Sequence, residues 1–381
     1  MPTNFAAVLP ARFEDLEVRQ VPFPAAGPGQ LVIRNQFVAV NPLDVVKQVT
    51  GDLMYSWLPY PAVLGEDVAG EVVEVGSEIT GFRTGDRVIA YALGMEKGRN
   101  HAAEGGFQLY TVVDAALTSV IPDTMALEDA VVLPLAVSTA ASALFQQDQL
   151  ALRHPPHPLD AVPTGASAGT AEWVVIWGGS TSVGSNAIQL AVAAGYRVLT
   201  TASPRNHDRL HALGADLSVD YSSPNTVTEI VSALRGKPVA GVLAIGTGSA
   251  ESCITIAART RTTRVALASP SVSLQGLPRT ESPNLRRLLA IVELGLRTST
   301  MLLRAKLHGI RAKFIWGASL KDNTVGPLLW KDYLPIALNE GTHLPVPAPQ
   351  IIGDGLEHIQ NALDTLSTGV SARKLVIRLP H

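Results

Sequence analysis

The sequence predicts an α/β protein in which a doubly wound parallel sheet of the dinucleotide-binding type is joined to a second, β-rich domain. Three observations carry that expectation. From Glu172 onward, strand-length apolar runs alternate with helical segments. The first run, Trp173–Trp177, meets a small-residue turn, Gly178-Gly179-Ser180-Thr181-Ser182-Val183-Gly184, and a helical pattern follows at once. Residues 1–137 show instead short strands closed by turn residues, which reads as a small folded barrel.

The 381 residues are enough for two domains. A composition of 46% hydrophobic and 17% charged residues suits an α/β enzyme rather than a fibrous or disordered chain. The net charge of −3 makes no electrostatic case for nucleic acid or an anionic membrane as a partner. Cys253 is the one cysteine, so neither an internal disulfide nor a thiolate cage is available, and a reducing compartment is expected. The chain opens without a basic segment leading into an apolar core, and no apolar run is read as approaching the roughly 18 residues of a membrane span. The expected address is the cytoplasm.

In chain order, Gln30–Asn35, Ala69–Gly76 and Arg87–Tyr91 read as strands, with tight turns at Gly76-Ser77-Glu78 and Thr84-Gly85-Asp86. Met125–Phe145 turns helical, with a break at Pro134. Residues 148–171, rich in Pro, Gly, Ala and His, read as a surface loop. Strands of the parallel sheet are expected at 173–177, 197–201, 217–221, 241–246, 264–268 and 313–317. Leu285–Leu307 reads as an amphipathic helix pair within a longer 282–311 insert. After Trp316 the chain is loop-rich, then offers a helix near Leu356–Leu366 and a last strand, Lys374–Leu379, that returns to the first domain. The domains are therefore 1–137 with 320–381, and 138–319.

Chemistry concentrates at the glycine turn. A strand feeding small residues into a helix lets the backbone approach a pyrophosphate, while first-turn N–H groups and the helix dipole face the anion. Gly178, Gly179, Ser180, Thr181, Ser182, Val183 and Gly184 are the candidate cradle, and the hydroxyls of Thr181 and Ser182 are expected to donate to phosphate. An acid at the end of the second strand would hold the ribose hydroxyls of NAD; this chain has Ala202-Ser203-Pro204-Arg205. Ser203, Arg205 and Tyr221 are instead suited to a 2′-phosphate, which favours NADPH. Gly246, at the end of the fourth strand, completes the cofactor set.

Two other ideas lose to blander readings. His207 and His211 would share a helix face but lack a third ligand, and His154 with His157 lies in the proline-rich insertion, so no metal site is expected. Gly165-Ala166-Ser167-Ala168-Gly169 matches a nucleophile-elbow pattern, yet it has a loop before it and a strand after it, the reverse of what that elbow needs.

Taken together, the motifs resemble the zinc-free members of the medium-chain dehydrogenase/reductase superfamily: quinone oxidoreductases and enoyl reductases, including trans-acting ones that serve fungal polyketide synthases. Asn41-Pro42-Leu43-Asp44-Val45-Val46-Lys47, Leu64–Val72, Leu133–Ala140, Trp177–Gly184 and Ser371–Val376 carry the resemblance. It implies a Rossmann-type domain plus a GroES-like barrel. In zinc relatives the segments aligned with 41–47 and 65–67 carry a cysteine ligand and Gly-His-Glu. Here they hold neither Cys nor His, so a zinc-independent reaction is implied. By the same resemblance Lys47 lies near cofactor and substrate, Asn41 and Asp44 position the nicotinamide, and Thr139 bonds its carboxamide or contacts substrate. Lys374 joins the cofactor set from the family's last strand. Lys47, Tyr55 and Thr139 are the candidate catalytic residues, Tyr55 as a proton donor.

The implied function is NADPH-dependent reduction of an enone or enoyl thioester, in a monomer or homodimer, on a small molecule that a carrier protein could deliver. Quinone reduction is the rival within the fold. A redox-inactive NADPH-binding scaffold is the rival outside it.

Overall fold

The computed structural model describes residues 3–156, 172–279 and 285–380. The chain divides into two compact units: Met1–Leu135, Leu274–Arg287 and Gly326–His381 form the first, and Ala136–Ser273 with Leu288–Val325 the second. The expected break at 137 lies close to the change of unit after Leu135, whereas the return expected at 320 comes at Gly326. Among the described residues the strands are β1 (Asn4–Leu9), β2 (Glu17–Val21), β3 (Gln30–Ala39), β4 (Ala62–Val63), β5 (Asp67–Val75), β6 (Arg87–Tyr91), β7 (Tyr110–Asp114) and β8 (Thr118–Val120). They continue as β9 (Trp173–Trp177), β10 (Arg197–Thr201), β11 (Leu217–Val219), β12 (Val239–Ala244), β13 (Arg264–Leu267), β14 (Arg311–Phe314), β15 (Pro349–Asp354) and β16 (Lys374–Arg378).

The first unit holds a three-stranded sheet, β2-β1-β4, and a larger one, β15-β16-β3-β5-β6-β8, with β7 also on β3. Period-two alternation sends Leu31 and Ile33 of β3, and Val68 and Val72 of β5, into one core. Ile359 and Leu363 of the helix Ile359–Ser367 close that core from the other side. β16 pairs antiparallel with β3, so the last strand does lie in the first unit. Pro349–Asp354, in a stretch that reads as loop, forms β15 and pairs parallel with β16. Its residues are half-buried or exposed, so no apolar run marks it.

The second unit is a six-stranded, all-parallel sheet, β11-β10-β9-β12-β13-β14. Strand order reverses between β9 and β12, and both end at the same edge as the glycine turn. In open α/β sheets that reversal is where ligands bind.

Three expectations change. Leu285–Leu307 is one continuous helix of 23 residues rather than a pair, because its single breaker, Gly295, costs a helix only about 1 kcal/mol. The sixth strand is Arg311–Phe314, ending before Gly317 opens a short 3₁₀ turn. The apolar stretch Leu127–Phe145 is, at 19 residues, long enough for a membrane span, but most of it is buried inside the protein and it divides into the helices Leu127–Ala130 and Pro134–Phe145, so it is a core element.

Candidate functional site

In the second unit, β9 ends at Trp177 and the chain turns through Gly178, whose φ of 89° lies in the left-handed region that favours glycine. Thr201, ending β10, holds the turn: its Oγ1 accepts the Gly178 N–H at 3.0 Å and its carbonyl accepts the Gly179 N–H at 2.9 Å. Thr181 caps the helix Ser182–Ala193, accepting the Gly184 N–H at 3.0 Å and donating to the Gly178 carbonyl at 2.8 Å. A Cβ on Gly184 would stand 2.2 Å from the Gly178 carbonyl oxygen, so glycine lets the helix start pressed against the turn. Helix geometry leaves the first-turn N–H groups without intrahelical acceptors, at the positive end of the dipole.

That arrangement revises one expectation. The Thr181 hydroxyl proton goes to the Gly178 carbonyl, so Thr181 serves as the N-cap, the place where Ser and Thr are preferred. Ser180, Ser182 and Val183, each half-buried, complete the turn.

Beside β10, Ser203 Oγ and the Tyr221 hydroxyl lie 3.5 Å apart, Tyr221 is exposed, and Arg205 follows on the surface after Pro204. The neighbouring acid, Asp220, accepts the Ser222 N–H and hydroxyl at 2.9 and 2.8 Å. Gly246 donates to Ser269 Oγ at 2.9 Å just past β12, whose following residue Ile245 donates to the Trp177 carbonyl. Gly246 therefore belongs to the sheet edge that carries the cradle. Thr139, half-buried on the helix Pro134–Phe145, packs against Gly317: a Cβ there would meet its Oγ1 at 2.7 Å. His207 bonds the Ala202 carbonyl, and His211 bonds the Ala215 carbonyl and Ser218. No cluster of three metal-ligating side chains occurs among the described residues. His157 and Ser167 lie outside them.

In the first unit the polar residues knit a buried cluster. Asp67, fully buried at the start of β5, accepts from Asn41 Nδ2 at 2.8 Å, from the Leu135 N–H at 2.6 Å and from Lys374 Nζ at 2.7 Å. Lys374 also donates to Asn41 Oδ1. Asp44, in the helix Pro42–Thr50, accepts the Asn41 N–H at 2.8 Å and the Gly65 N–H at 3.0 Å. Burial nonetheless raises its pKa to about 7, those two hydrogen bonds offsetting only part of the effect. Glu66 is held well above the usual carboxylate range by burial, with Asp44 and Glu96 adding to it; Tyr91 donates to it at 3.3 Å.

Lys47 sits in a second group. Its side chain is fully buried, with Nζ 3.3 Å from Asp52 Oδ1, 3.2 Å from the Tyr55 carbonyl and 4.5 Å from the Tyr60 ring centroid. Burial lowers its pKa, and Asp52 works against that shift. Tyr55 is buried at 2% exposure, and burial raises its phenol pKa, so it stays protonated.

The structure thus joins Asn41, Asp44 and Lys374 in one cluster, Lys47 and Tyr55 in another, and the cradle with Ser203, Tyr221 and Gly246 along one sheet edge. Sequence reasoning missed Asp67 and Thr201. The signal for Asp67 was a carboxylate opening a strand otherwise rich in buried residues. Thr201 carried none, since its role depends on two strands lying in register.

Comparisons with known proteins agree with this architecture. The alcohol dehydrogenase GroES-like domain family matches residues 27–123. The dehydrogenase pigH of Monascus ruber is 45% identical over 381 residues, covering 100% of both chains. The trans-enoyl reductase himH of Aspergillus japonicus is 35% identical, covering 99% of this chain and 97% of its own. Among solved structures, the quinone oxidoreductase of Coxiella burnetii superposes with a TM-score of 0.68 at 23% identity, covering 99% of this chain and all of its own.

Proposed function

Because the chain belongs to the medium-chain dehydrogenase/reductase superfamily and is one of its nicotinamide-dependent oxidoreductases, we propose that it is an NADPH-dependent, zinc-independent reductase of an activated C=C bond. The substrate class is an enone or an enoyl thioester. The observation that carries this reading is the chemistry of the first unit's buried centre. A zinc ion would find there Asp67 held by N–H and ammonium donors, two buried acids of raised pKa, Asp44 and Glu66, and the ammonium of Lys374. That donor set does not fit zinc, which takes thiolate and imidazole as well as carboxylate: the centre has neither of the first two, and no three ligating side chains converge among the described residues. Alcohol oxidation in this family leans on a Lewis acid, whereas reducing a conjugated C=C demands less, because charge delocalises into an enolate.

The cofactor, when bound, supplies the hydride that goes to the β-carbon. The chain's own residues bind and orient. First-turn N–H groups and the Ser180–Val183 backbone hold the pyrophosphate; Ser203, Arg205 and Tyr221 take the 2′-phosphate. Gly246 keeps the edge of β12 open. Thr139 bonds the carboxamide or contacts substrate. Asn41, Asp44 and Lys374 fix the loop beside them through Asp67. Lys47 acts by holding the Asp52–Tyr60 segment in place, and Tyr55, kept protonated by burial, is the candidate proton donor. The enzyme is placed in the cytoplasm, with a carrier protein as one route of substrate delivery.

A substrate panel tests this. Purified protein is mixed with NADPH and enones, enoyl thioesters or quinones, and absorbance is followed at the nicotinamide band. Turnover of enones or thioesters supports the proposal. Turnover of quinones alone moves the assignment to quinone reduction, and NADPH binding without any turnover points to a scaffold.

A further inference from the structure

Three segments of the first unit carry buried titratable side chains into charge range of one another. Glu66 stands just before β5, Tyr91 ends β6 with Glu96 beyond it, and Tyr55 follows the helix Pro42–Thr50. Backbone contacts fix these segments: the Glu66 carbonyl accepts the Ala92 N–H at 2.9 Å, and the Met95 carbonyl accepts the Trp57 indole N–H at 3.0 Å. Trp57 packs edge-on against the Tyr55 ring, with centroids 5.5 Å apart. Lys47 holds the Tyr55 carbonyl, and Tyr55 keeps a φ of 57°, an outlier for a bulky side chain. Outliers of that kind cluster at sites of function.

Glu66 is 2% exposed. It faces Asp44 from the helix Pro42–Thr50, Glu96 from beyond β6 and Asp67 from β5, none placed to share a metal with it. Its Oε1 accepts from Tyr91 at 3.3 Å, whereas Oε2, equally shut from solvent, bonds to nothing among the described residues. Burial first, then those negative neighbours, hold Glu66 as a neutral acid. Because Oε1 already accepts, the acid hydrogen belongs on Oε2, where it is committed to no acceptor.

Tyr55 by itself is a reluctant donor. Burial raises its pKa, and Glu66, Glu96 and Asp44 raise it further, since a phenolate there would form among acids. A neutral carboxyl beside it lifts that obstacle, because a carboxyl is a stronger acid than a phenol and refills it as it empties.

We propose that Glu66 acts through Tyr55 as the proton reserve of the reaction, an inference that rests on C=C reduction as the activity. As hydride from NADPH forms the Cβ–H bond, the C=C electron pair moves onto Cα and the carbonyl oxygen. The Tyr55 O–H bond breaks and its proton forms the Cα–H bond. The Glu66 O–H bond then breaks to restore the phenol, leaving a carboxylate that takes a proton from water once product has left. One NADPH and one proton are consumed for each C=C reduced.

Infrared and kinetic measurements on Glu66→Gln and Glu66→Asp test it. At about pH 8, above the value of about 7 at which Asp44 ionises, the parent should keep a protonated-carboxyl stretch that Glu66→Gln removes. With NADPH and an enoyl thioester, Glu66→Gln should lower kcat by about 100-fold, the low end of what a positioned proton donor contributes, and leave NADPH affinity unchanged. The parent's kcat should fall at alkaline pH as Glu66 ionises; Glu66→Gln should lose that limb and Glu66→Asp should keep it at a shifted midpoint. Deuteride from labelled NADPH separates the two readings, since it reports reduction at Cβ whatever supplies the proton at Cα. A parent that transfers deuteride while Glu66→Gln keeps its rate, or loses rate but retains the limb, overturns the relay and leaves reduction standing. So does an infrared spectrum of Glu66→Gln that matches the parent. Should Glu66→Gln melt early, an unshifted limb in Glu66→Asp overturns the relay instead. A parent that transfers no deuteride removes relay and reduction together.

Discussion

Gly184→Ala tests the cradle most sharply. Its Cβ would stand 2.2 Å from the Gly178 carbonyl oxygen and 2.8 Å from Gly179 Cα. Carbon and carbonyl oxygen approach to about 3.3 Å in ordinary contacts, so turn and helix must separate by roughly 1 Å. Both opposing atoms are backbone, so no rotamer change relieves the clash. Overpacking of this kind costs about 1–3 kcal/mol of stability. The same movement takes the first-turn N–H groups off the pyrophosphate, and hydrogen bonds to a charged group contribute about 1.5–3 kcal/mol each. Losing the equivalent of one or two weakens NADPH by about 100-fold, or ~2.7 kcal/mol. Fluorescence titration with NADPH reads the affinity and a thermal melt reads the stability. Gly295→Ala is the control: a Cβ there meets nothing within 4 Å, and the change should stabilise the helix by about 0.5–1 kcal/mol without touching affinity. A Gly184→Ala protein that binds NADPH within about threefold of the parent and melts alike refutes the assignment of the turn as a pyrophosphate cradle.

Arg205→Ala should weaken NADPH by about tenfold or more and leave NADH nearly unchanged, since only a 2′-phosphate gives the guanidinium a charge to meet; equal losses in parallel titrations would remove Arg205 from that role. Asp67→Asn leaves the 5%-exposed Lys374 without its ion-pair partner and should destabilise by about 3–5 kcal/mol. Adding Lys374→Met should recover part of that loss in a double-mutant cycle of denaturant melts, and strict additivity would deny the coupling. Asp44, raised from 3.8 to about 7, and Glu66, raised well above 4.5, both bind protons more tightly folded than unfolded. Their contribution to stability is therefore greatest at acid pH and falls as pH rises from about 4 through about 7 and above. Glu66→Gln should flatten the upper part of that fall in melting temperature, and an unchanged slope would show that Glu66 ionises freely.

The second unit was legible because its signal is local. Apolar runs such as Trp173–Trp177 sit between helices, and a parallel sheet buried on both faces writes its strands as continuous apolar stretches. The glycine turn could be read for the same reason, though Thr181 caps the helix where a donor to phosphate was expected. What stayed hidden depends on pairing at a distance. The half-buried or exposed β15 exists only because β16 returns beside it, so no period marks it. Thr201 holds the cradle through the register of β9 with β10, and Asp67 gathers Asn41, Leu135 and Lys374 from three distant segments. Lys47 reads in sequence as an exposed or active-site lysine, yet its side chain is fully buried and turns to Asp52, five residues on. The helix Leu285–Leu307 reads as a pair because leucine and arginine alternate without a clean boundary, and its outward stripe shows only once its buried face is known.

The central claim is hydride transfer from NADPH to an activated C=C bond, and isotope transfer reads it directly. The protein is incubated with an enoyl thioester and NADPH deuterated at the transferable position of the nicotinamide, and the product is analysed by mass spectrometry. The account predicts a saturated thioester carrying one deuterium at the β-carbon for each NADPH consumed. An unlabelled, unreduced thioester recovered from protein saturated with NADPH would contradict it.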